Sequence, residues 1–423
     1  MSVDAIVGAQ WGDEGKGRVV DYLATNCDMV IRYQGGDNAG HTVINDYGKF
    51  ALHILPSGIF NPKTLCLVGA GTVVNFNTME EELQSVEAAG VNTDNLFVDK
   101  RAHLIMPFHC MLDGAEEAKR SKKWSVGTTK RGIGPVYSDK ASRIGIRAVD
   151  ILDPERLRAR LEMMMPKKNR DLEYYGLDTI TVDEMMDLCA SWREKFGKRI
   201  IDSVPILRDA VLGGKNVLFE GQLGIMRDLD WGIYPYTTSS NPTAGGTCSG
   251  AGISPKRIDN IYGVVKAYST SVGGGPFPVE LFDADGEKLR DIGGEYGATT
   301  GRPRRCGWFD AVAAAYSCWI NGFTHLAMTK LDVLDHFDTI KVCTHYKIGD
   351  EIIDYVPETA LQDIAVPVYE EWEGWKSDTT GIRKWEDLPQ KAQVYLKRLE
   401  ELTGAPMKFI SVGPERDQII VID

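Results

Sequence analysis

The sequence predicts an α/β fold with a large, mostly parallel central sheet flanked by helices, and two observations support this prediction. Short apolar runs alternate along the chain with amphipathic helical patterns. Glycine-rich turns follow several of the apolar runs. In a parallel sheet such turns gather at the carboxyl ends of the strands, where phosphate-binding loops lie. The 423 residues contain no linker or low-complexity run. We therefore expect a single α/β domain over residues 1–423, with embedded helical subdomains.

Each predicted element follows from its local pattern. Strands are predicted where β-branched and large apolar residues cluster, and helices where apolar residues recur every three or four positions. The predicted strands are, in chain order, residues 5–7, 29–32, 65–68, 217–219, 261–267, 325–329, 340–344, 409–412 and 419–422. The predicted helices are one that begins at about residue 16 and others at residues 78–89, 155–165, 182–195, 309–321 and 388–402.

Composition excludes several classes of partner. The formal net charge is −12, so a surface that binds nucleic acid or anionic lipid is not expected, and basic residues should instead serve small anions. The eight cysteines include no C-x-x-C pair, which indicates neither a zinc site nor a disulfide framework and favours a reducing compartment. With no basic leader and no apolar run of membrane-spanning length, we expect a cytoplasmic protein.

Residues 5–18 predict a nucleotide site. An apolar strand runs into three glycines, and a helix begins at about Lys16, so backbone N–H groups and the helix N-terminus can bind a polyphosphate. The ordinary P-loop would need Gly at position 10 and Ser or Thr at position 17, but the chain has Gln10 and Gly17. Asp13 is the natural substitute for the missing Mg²⁺-binding hydroxyl. The alternative is that Asp13 only caps the following helix.

A histidine in a second glycine-rich stretch is a candidate for acid–base chemistry. His41 lies between Gly40 and Thr42 in the run 35–42, which is predicted to be a loop after the strand that ends near residue 33. A lone histidine is more often structural than catalytic. The glycine-rich setting favours a role beside a phosphate, where His41 and Asp13 would supply an acid and a base.

Two further segments predict anion and base recognition. Residues 297–305 place three arginines beside two threonines, which suits binding of carboxylates or phosphates, although a solvated charged turn is the alternative. Residues 329–332 end a predicted strand with Lys330 and Asp332. Such a pair can bind guanine, with the lysine stem over the ring and the carboxylate accepting from N1–H and the 2-amino group. A helix cap is about equally compatible with this short motif.

Together these motifs closely resemble those of the adenylosuccinate synthetase family, and the resemblance runs nearly end to end. The motifs that carry it are residues 10–17, 33–36 with 38–42, 127–129 with 131–135, 297–302, 329–335 and 411–414. The resemblance implies a GTP-dependent ligase that joins L-aspartate to C6 of IMP through a 6-phosphoryl intermediate. The products are adenylosuccinate, GDP and phosphate, and Mg²⁺ is the implied cofactor.

The resemblance also implies roles for individual residues. Asp13 takes the N1 proton and then binds Mg²⁺ with the backbone carbonyl of Gly40. His41 protonates or hydrogen-bonds the transferring phosphoryl group, and Lys16 neutralises the γ-phosphate. The implied nucleotide-substrate positions are Asn38, Thr129, Arg143, Leu223, Thr238 and Arg302. The implied aspartate positions are Thr299, Thr300 and Arg304. The implied GTP positions are Gly12, Glu14, Gly15, Lys16, Gly17, Gly40, Thr42, Lys330, Asp332, Ser411 and Gly413. Arg143 matches a residue that reaches the partner's IMP phosphate, which implies a homodimer.

Four departures from the family pattern lie in segments that line or support the purine site. Leu223 stands where the family has a glutamine, and Ser271 where it has an arginine. Trp231 replaces a histidine or phenylalanine, and Ile233 replaces a threonine. Compensation for the lost amide and guanidinium could come from Gln222 or Trp231.

The departures leave two alternatives to the IMP enzyme. One is a paralogue that performs the same ligation on another 6-oxopurine nucleotide, such as GMP or dGMP, to make 2-aminoadenine nucleotides. Phage relatives of that kind carry serine at the position of Asp13, so the carboxylate here favours IMP, because a 2-amino group would crowd it. The other is a non-catalytic GTP-binding regulator, which would have no need of both Asp13 and His41.

Overall fold

A computed structural model of the chain describes residues 1–121, 124–297 and 301–422. The strands of these residues are β1 (Val3–Gly8), β2 (Met29–Arg32), β3 (His41–Asn45), β4 (Gly48–Leu52), β5 (Leu65–Val68), β6 (Val73–Val74), β7 (Leu96–Asp99), β8 (His103–Leu104), β9 (Ile200–Ile201), β10 (Val217–Gly224), β11 (Asn260–Lys266), β12 (Ser269–Ser271), β13 (Arg305–Gly307), β14 (Phe309–Asp310), β15 (His325–Thr329), β16 (Thr339–Ile348), β17 (Glu351–Ile353), β18 (Val366–Glu373), β19 (Met407–Ser411) and β20 (Ile419–Val421). The α-helices are α1 (Lys16–Ala24), α2 (Phe76–Ala88), α3 (Pro107–Lys119), α4 (Ile133–Ser142), α5 (Pro154–Tyr174), α6 (Val182–Phe196), α7 (Ser203–Leu212), α8 (Ala244–Ala251), α9 (Ala284–Gly293), α10 (Ala311–Asn321), α11 (Thr359–Gln362) and α12 (Gln390–Thr403).

Ten of these strands form one sheet in the order β20-β19-β15-β11-β1-β10-β2-β5-β7-β9. Strand β20 pairs antiparallel with β19, and the other neighbours pair parallel. The prediction of a large, mostly parallel central sheet is therefore confirmed. The predicted strand at 340–344 also exists, but as β16 it belongs to a separate sheet with β14, β17 and β18. Strand β7 and the edge strand β9 were not predicted from the sequence.

The helices are more numerous than predicted, and some of their ends differ. Helix α5 continues through Pro166 to Tyr174, whereas the sequence prediction stopped it before that proline. The helix predicted from residue 309 begins at Ala311, because Phe309 and Asp310 form β14 and the Asp310 side chain caps the helix at Ala313 N. Helices α3, α4, α7, α8, α9 and α11 were not predicted. The glycines in α8 suit its packing, since most of its residues are buried.

Parallel pairing brings the carboxyl ends of β1, β2, β10, β11 and β15 to one edge of the sheet. A Cβ on Gly8, at the end of β1, would lie 2.1 Å from the carbonyl oxygen of Leu223, so only glycine allows β1 and β10 to approach there. The predicted loops at residues 10–17, 35–42 and 329–335 follow the ends of β1, β2 and β15. None of the described helices is both long and apolar enough to cross a membrane.

Candidate active site

One cleft at the carboxyl edge of the sheet is lined by ten of the predicted site residues. They are Asp13, Gly15, Lys16, Gly17, Gly40, His41, Thr42, Leu223, Arg304 and Lys330. Arg18, Arg32, Glu220 and Lys266 line the same cleft, although the sequence assigned them no role there. Gln222, which was suggested as a replacement for the lost amide, also lines it. Elements that are far apart in the chain therefore supply one site.

The phosphate loop is held from inside by Glu14. This fully buried carboxylate accepts hydrogen bonds through Oε1 from the backbone nitrogens of Gln10 (3.0 Å) and Gly12 (2.8 Å). Its Oε2 lies 2.5 Å from Nζ of Lys16. Gly15, with a left-handed φ of 85°, is the N-cap of α1. Glu14 thus shapes the loop and directs the lysine, and its own carboxylate is occupied within the protein.

Asp13 stands at the tip of the phosphate loop with a left-handed φ of 58°. Asp13 is not the N-cap of α1, because that position is occupied by Gly15. Instead Oδ2 lies 3.0 Å from Nε of Arg304. A non-glycine residue in this backbone region is strained and is held by its surroundings. The loop therefore turns the Asp13 carboxylate into the cleft.

Arg304 is the outer member of a buried ionic chain. Its Nη1 donates to Oε2 of Glu295 at 2.7 Å, and Oε1 of Glu295 accepts from Nζ of Lys266 at 2.8 Å. Although burial alone would raise the pKa of Glu295, the ammonium groups of Lys266 and Lys330 lower it to about 2. Burial alone would lower the pKa of Arg304, but the carboxylates of Asp13 and Glu295 raise it. Carboxylates of the protein therefore neutralise the positive charge of Arg304, whereas the sequence predicted that this side chain binds external anions.

His41 lies in a polar network with two residues that the sequence reasoning did not single out. Its Nε2 is 2.9 Å from Oγ of Ser57 and 3.5 Å from Oε1 of Glu220. Ser57 donates its hydroxyl proton to Oε1 of Glu220 (3.2 Å) and its backbone N–H to Oε2 (2.9 Å). Burial, with the nearby charge of Arg32, lowers the pKa of His41 to about 3. The imidazole is therefore neutral at pH 7.

The prediction that His41 lies in a loop is wrong. His41 is the first residue of β3, which pairs with β4 in a hairpin. A Cβ on Gly17 would lie 3.0 Å from Cβ of His41, so this glycine lets the hairpin pack against the start of α1. The hairpin packing therefore brings His41 into the same cleft as the phosphate loop.

Gln222 supplies an amide one residue before the position where the family has glutamine. Its Oε1 accepts from Nη2 of Arg32 at 2.6 Å, and its Nε2 donates to Oδ1 of Asn38 at 3.0 Å. Leu223 follows with a left-handed φ of 61° and lines the cleft. The amide of Gln222 is therefore engaged in orienting Asn38. Trp231 is 54% exposed, which makes it a poor replacement for the lost groups.

The predicted guanine pocket has a partly buried carboxylate and two ordered loops. Burial raises the pKa of Asp332, while Lys330 and Arg18 act in the opposite direction. Lys330 donates through Nζ to the carbonyl oxygen of Gly293 at 2.5 Å. Ser411 donates through Oγ to the carbonyl oxygen of Gly413 at 3.1 Å, and Nε of Arg18 lies 3.4 Å from the same hydroxyl. Arg18 therefore connects α1 to the loop after β19.

The other predicted substrate residues lie away from the cleft lining or outside the described chain. Thr238 is buried, and its hydroxyl lies 3.2 Å from Oγ of Ser240. Thr129, Arg143 and Arg302 are exposed, and Arg143 follows α4 with a left-handed φ of 65°. Thr299 and Thr300 lie outside the described residues.

The side chains that the sequence reasoning missed are mostly polar groups on apolar elements. Lys266 ends the apolar strand β11 and is 1% exposed, and Glu220 follows the apolar start of β10 and is 3% exposed. A charged residue inside an apolar strand is a usable signal, since burial of a charge requires a partner. Ser57 gave no such signal, because its role depends on a contact with a residue 163 positions away.

Asp13 and the backbone carbonyl of Gly40 are the candidate magnesium ligands. Both are oxygen donors on the lining of one cleft, and Mg²⁺ commonly binds one or two protein oxygens together with substrate phosphates and water. Across residues 1–121, 124–297 and 301–422, no group of three or more His, Cys, Asp or Glu side chains forms a metal cage. The donor set therefore fits a cation that arrives with a nucleotide.

Comparisons with known proteins identify a family. A family model described as adenylosuccinate synthetase matches residues 5–420. The adenylosuccinate synthetase of Heliobacterium modesticaldum is 52% identical over 423 residues, which are 99% of each chain. The solved structure of the fully ligated Plasmodium falciparum adenylosuccinate synthetase matches with a TM-score of 0.94 and 38% identity over 100% of both chains. A cyanophage S-2L succinoaminodeoxyadenylate synthetase, solved with dGMP and dATP, matches with a TM-score of 0.61 and 18% identity over 99% of this chain and 95% of that one, which shows a shared fold alone.

Proposed function

The chain belongs to the adenylosuccinate synthetase family and is a ligase that forms a C–N bond, and we propose that it works through the cleft described above. In this proposal GTP phosphorylates the 6-oxygen of IMP, and the amine of L-aspartate then displaces phosphate from C6. The single observation that carries the proposal is that Asp13, His41 and the phosphate loop line one cleft. This arrangement can bind a polyphosphate beside a base and a hydrogen-bonding imidazole.

The phosphorylation step requires a base at N1 and compensation of charge on the transferring group. Asp13 accepts the N1 proton, which raises electron density on the 6-oxygen. Lys16 and the backbone of Gly15 and Gly17 stabilise the negative charge of the phosphates at the start of α1. His41 hydrogen-bonds the transferring phosphoryl group as a neutral imidazole, with its ring held by Ser57 and Glu220. Acid–base catalysis of this kind contributes about 10² to 10⁴ in rate.

We propose Mg²⁺ as the cofactor, bound by Asp13 and the carbonyl of Gly40. When bound, the cation supplies charge neutralisation between the phosphates of the nucleotide. Asp13 then keeps its carboxylate in the cleft through the ion pair with Arg304, at 3.0 Å from Nε to Oδ2. Arg304 also suits a substrate carboxylate, since a guanidinium can bind two oxygens at once. Thr299 and Thr300 are proposed to complete the aspartate site.

The guanine base is proposed to bind between Lys330, Asp332, Ser411 and Gly413. A carboxylate at Asp332 can accept from both N1–H and the 2-amino group of guanine, whereas adenine offers one donor on a different edge. The phosphates then lie along Gly12, Glu14, Gly40 and Thr42. GTP should therefore be preferred to ATP as the phosphoryl donor.

The remaining residues are proposed to hold IMP and to link two subunits. Asn38, Leu223 and Thr238 surround the nucleotide from this chain, together with Thr129 and Arg302. Arg143 is exposed after α4, which suits a contact with the IMP phosphate of a second copy. We propose a cytoplasmic homodimer. We also propose that residues 1–423 act as one domain, since a single sheet includes strands from Val3 to Val421.

The substrate test is a direct comparison of nucleotides. The full-length match to the Heliobacterium protein supports IMP over GMP or dGMP, because the phage enzyme shares only the fold at 18% identity. Difference absorbance should be followed with GTP and L-aspartate against IMP, GMP and dGMP in parallel. We expect rapid turnover of IMP alone. Faster turnover of a guanine nucleotide than of IMP would contradict the proposal, and absence of turnover with all three would favour the GTP-binding regulator.

A further inference from the structure

Arg227, in the turn after β10, joins two loops through one buried guanidinium. Nη1 donates to the carbonyl oxygen of Tyr236 at 2.6 Å and to that of Gly274 at 3.2 Å. Nη2 donates to Oγ of Ser271 at 2.8 Å and to the carbonyl oxygen of Val272. The side chain therefore connects the segment before Thr238 with the glycine-rich loop that follows β12.

Burial of the positive charge of Arg227 carries a desolvation cost. The residue is 7% exposed, and the four acceptors above are three backbone carbonyls and a hydroxyl. Burial, together with the charge of Arg305, lowers the pKa of Arg227 to about 10, and Asp13 acts in the opposite direction. A buried cation is retained against such a cost when its hydrogen bonds fix a geometry that an apolar side chain cannot.

The two loops that Arg227 joins support proposed nucleotide-substrate residues. The backbone N–H of Thr238 donates to the carbonyl oxygen of Arg227 at 2.8 Å. On the other side, a Cβ on Gly127 would lie 3.3 Å from Cα of Gly273, so the glycine-rich loop contacts the segment that leads to Thr129. Displacement of the glycine-rich loop would therefore be transmitted to Thr129, whereas Thr238 is affected through Tyr236, whose carbonyl oxygen accepts from Nη1 of Arg227.

We propose that Arg227 is a positioning residue for the nucleotide substrate. Its hydrogen bonds hold the segments that carry Thr238 and Thr129 at the separation that the nucleotide requires. The inference rests on the proposed function, because the substrate is taken to be a 6-oxopurine nucleotide. It also accounts for Ser271, whose hydroxyl lies within hydrogen-bond distance of the guanidinium. Although the sequence has no guanidinium at position 271, the guanidinium of Arg227 thus lies beside that position.

The test separates nucleotide binding from general loosening of the fold. Arg227→Leu should raise KM for IMP about tenfold or more, with KM for GTP and kcat changed less than about threefold. Arg227→Lys should lie between Arg227→Leu and the unmutated protein, because one ammonium cannot serve four acceptors. Calorimetric titration with IMP should report the same order without turnover. The matched control is Arg199→Leu, which also removes bonds to backbone carbonyls, those of Thr93 and Leu96, and should leave every KM unchanged.

A double variant, called the swap variant, tests whether IMP affinity depends on where the guanidinium lies rather than on which residue carries it. In Arg227→Leu with Ser271→Arg, the guanidinium enters from the other loop, and we expect recovery of at least half of the lost IMP affinity. A folded swap variant that binds IMP no better than Arg227→Leu contradicts the proposal. So does an equal rise in KM for IMP and GTP, which indicates general loosening. Turnover of IMP by the unmutated protein tests the proposed function separately. If a guanine nucleotide is the substrate instead, the same variants are compared with that nucleotide.

Discussion

The loop after β1 and the wall formed by residues 220–227 at the end of β10 meet at the same cleft, but they are stabilised over very different distances along the chain. Glu14 shapes its loop by accepting from residues two and four positions away. Gln222 is fixed by residues 184 and 190 positions away, and Arg227 bonds to a serine 44 positions away. In a loop held by local contacts, few substitutions are tolerated, because each residue has its own part in the backbone hydrogen bonding. In a wall held by distant partners, a side chain can be substituted if a side chain from another element occupies the same position.

The largest expected effect is at the phosphate-binding end of the cleft. Asp13→Asn removes the base, and His41→Asn removes the imidazole, so each should lower kcat by about 10² or more while GTP affinity changes only a few-fold. Stopped-flow turnover and equilibrium GTP binding measure the two quantities. Near-normal turnover in either variant would remove that residue from the proposed chemistry.

Substitution in the guanine pocket should change the preference among nucleoside triphosphates rather than lower activity with all of them equally. In Asp332→Asn, the amide can no longer accept from both guanine donors, so kcat/KM for GTP should fall by about 10²-fold. Use of xanthosine triphosphate should improve, because its 2-oxo group accepts from the new amide N–H. Steady-state kinetics with GTP, ATP and xanthosine triphosphate test this. Equal use of ATP and GTP by the unmutated protein would contradict the pocket assignment.

The buried carboxylate of Glu295 should make the free energy of unfolding depend on pH. Its depressed pKa of about 2 corresponds to about 3 kcal/mol of unfolding free energy, present above pH 5 and lost as the pH falls toward 2. Glu295→Gln leaves Lys266 without its carboxylate, so the variant should be less stable at pH 7 by about that amount. The difference from the unmutated protein should narrow below pH 5.

Urea unfolding at pH 7, 5 and 3.5 measures the effect of Glu295. The control is Glu370→Gln, since Glu370 pairs with Arg398 near solvent and should matter by about 1 kcal/mol or less. A constant difference between Glu295→Gln and the unmutated protein at every pH would show that protonation of this carboxylate is not responsible.

The smallest effects are expected at the end of β10, where substitutions of the adjacent residues Gln222 and Leu223 form a matched pair. Gln222→Leu leaves Arg32 and Asn38 without their amide partner, so KM for IMP should rise about tenfold. Leu223→Gln should leave IMP turnover equal or better, within about threefold, if the wall serves IMP. Measuring kcat/KM for IMP, GMP and dGMP in both variants decides this. If Leu223→Gln improves IMP and impairs a guanine nucleotide, the wall serves the guanine nucleotide instead.

Sequence patterns predicted the site more fully where the local chain builds it. The strand and helix on either side of the phosphate loop were correctly placed, because apolar β1 and amphipathic α1 follow their patterns. His41 was assigned to a loop although it begins β3, because short hairpin strands carry weak patterns. Helix α5 was ended too early at Pro166, since its packing overrides the local preference of proline.

The fold class and the phosphate loop follow from local patterns in the chain, because strand periodicity and glycine spacing are properties of neighbouring residues. The distant groups that complete the cleft follow from the packing of the folded chain. Ser57 and Glu220 beside His41, Lys266 and Glu295 behind Arg304, and Arg227 beside Ser271 are examples. The physical reason is that a buried polar group must find its partner in space. Parallel pairing of strands far apart in the chain decides which residues can meet.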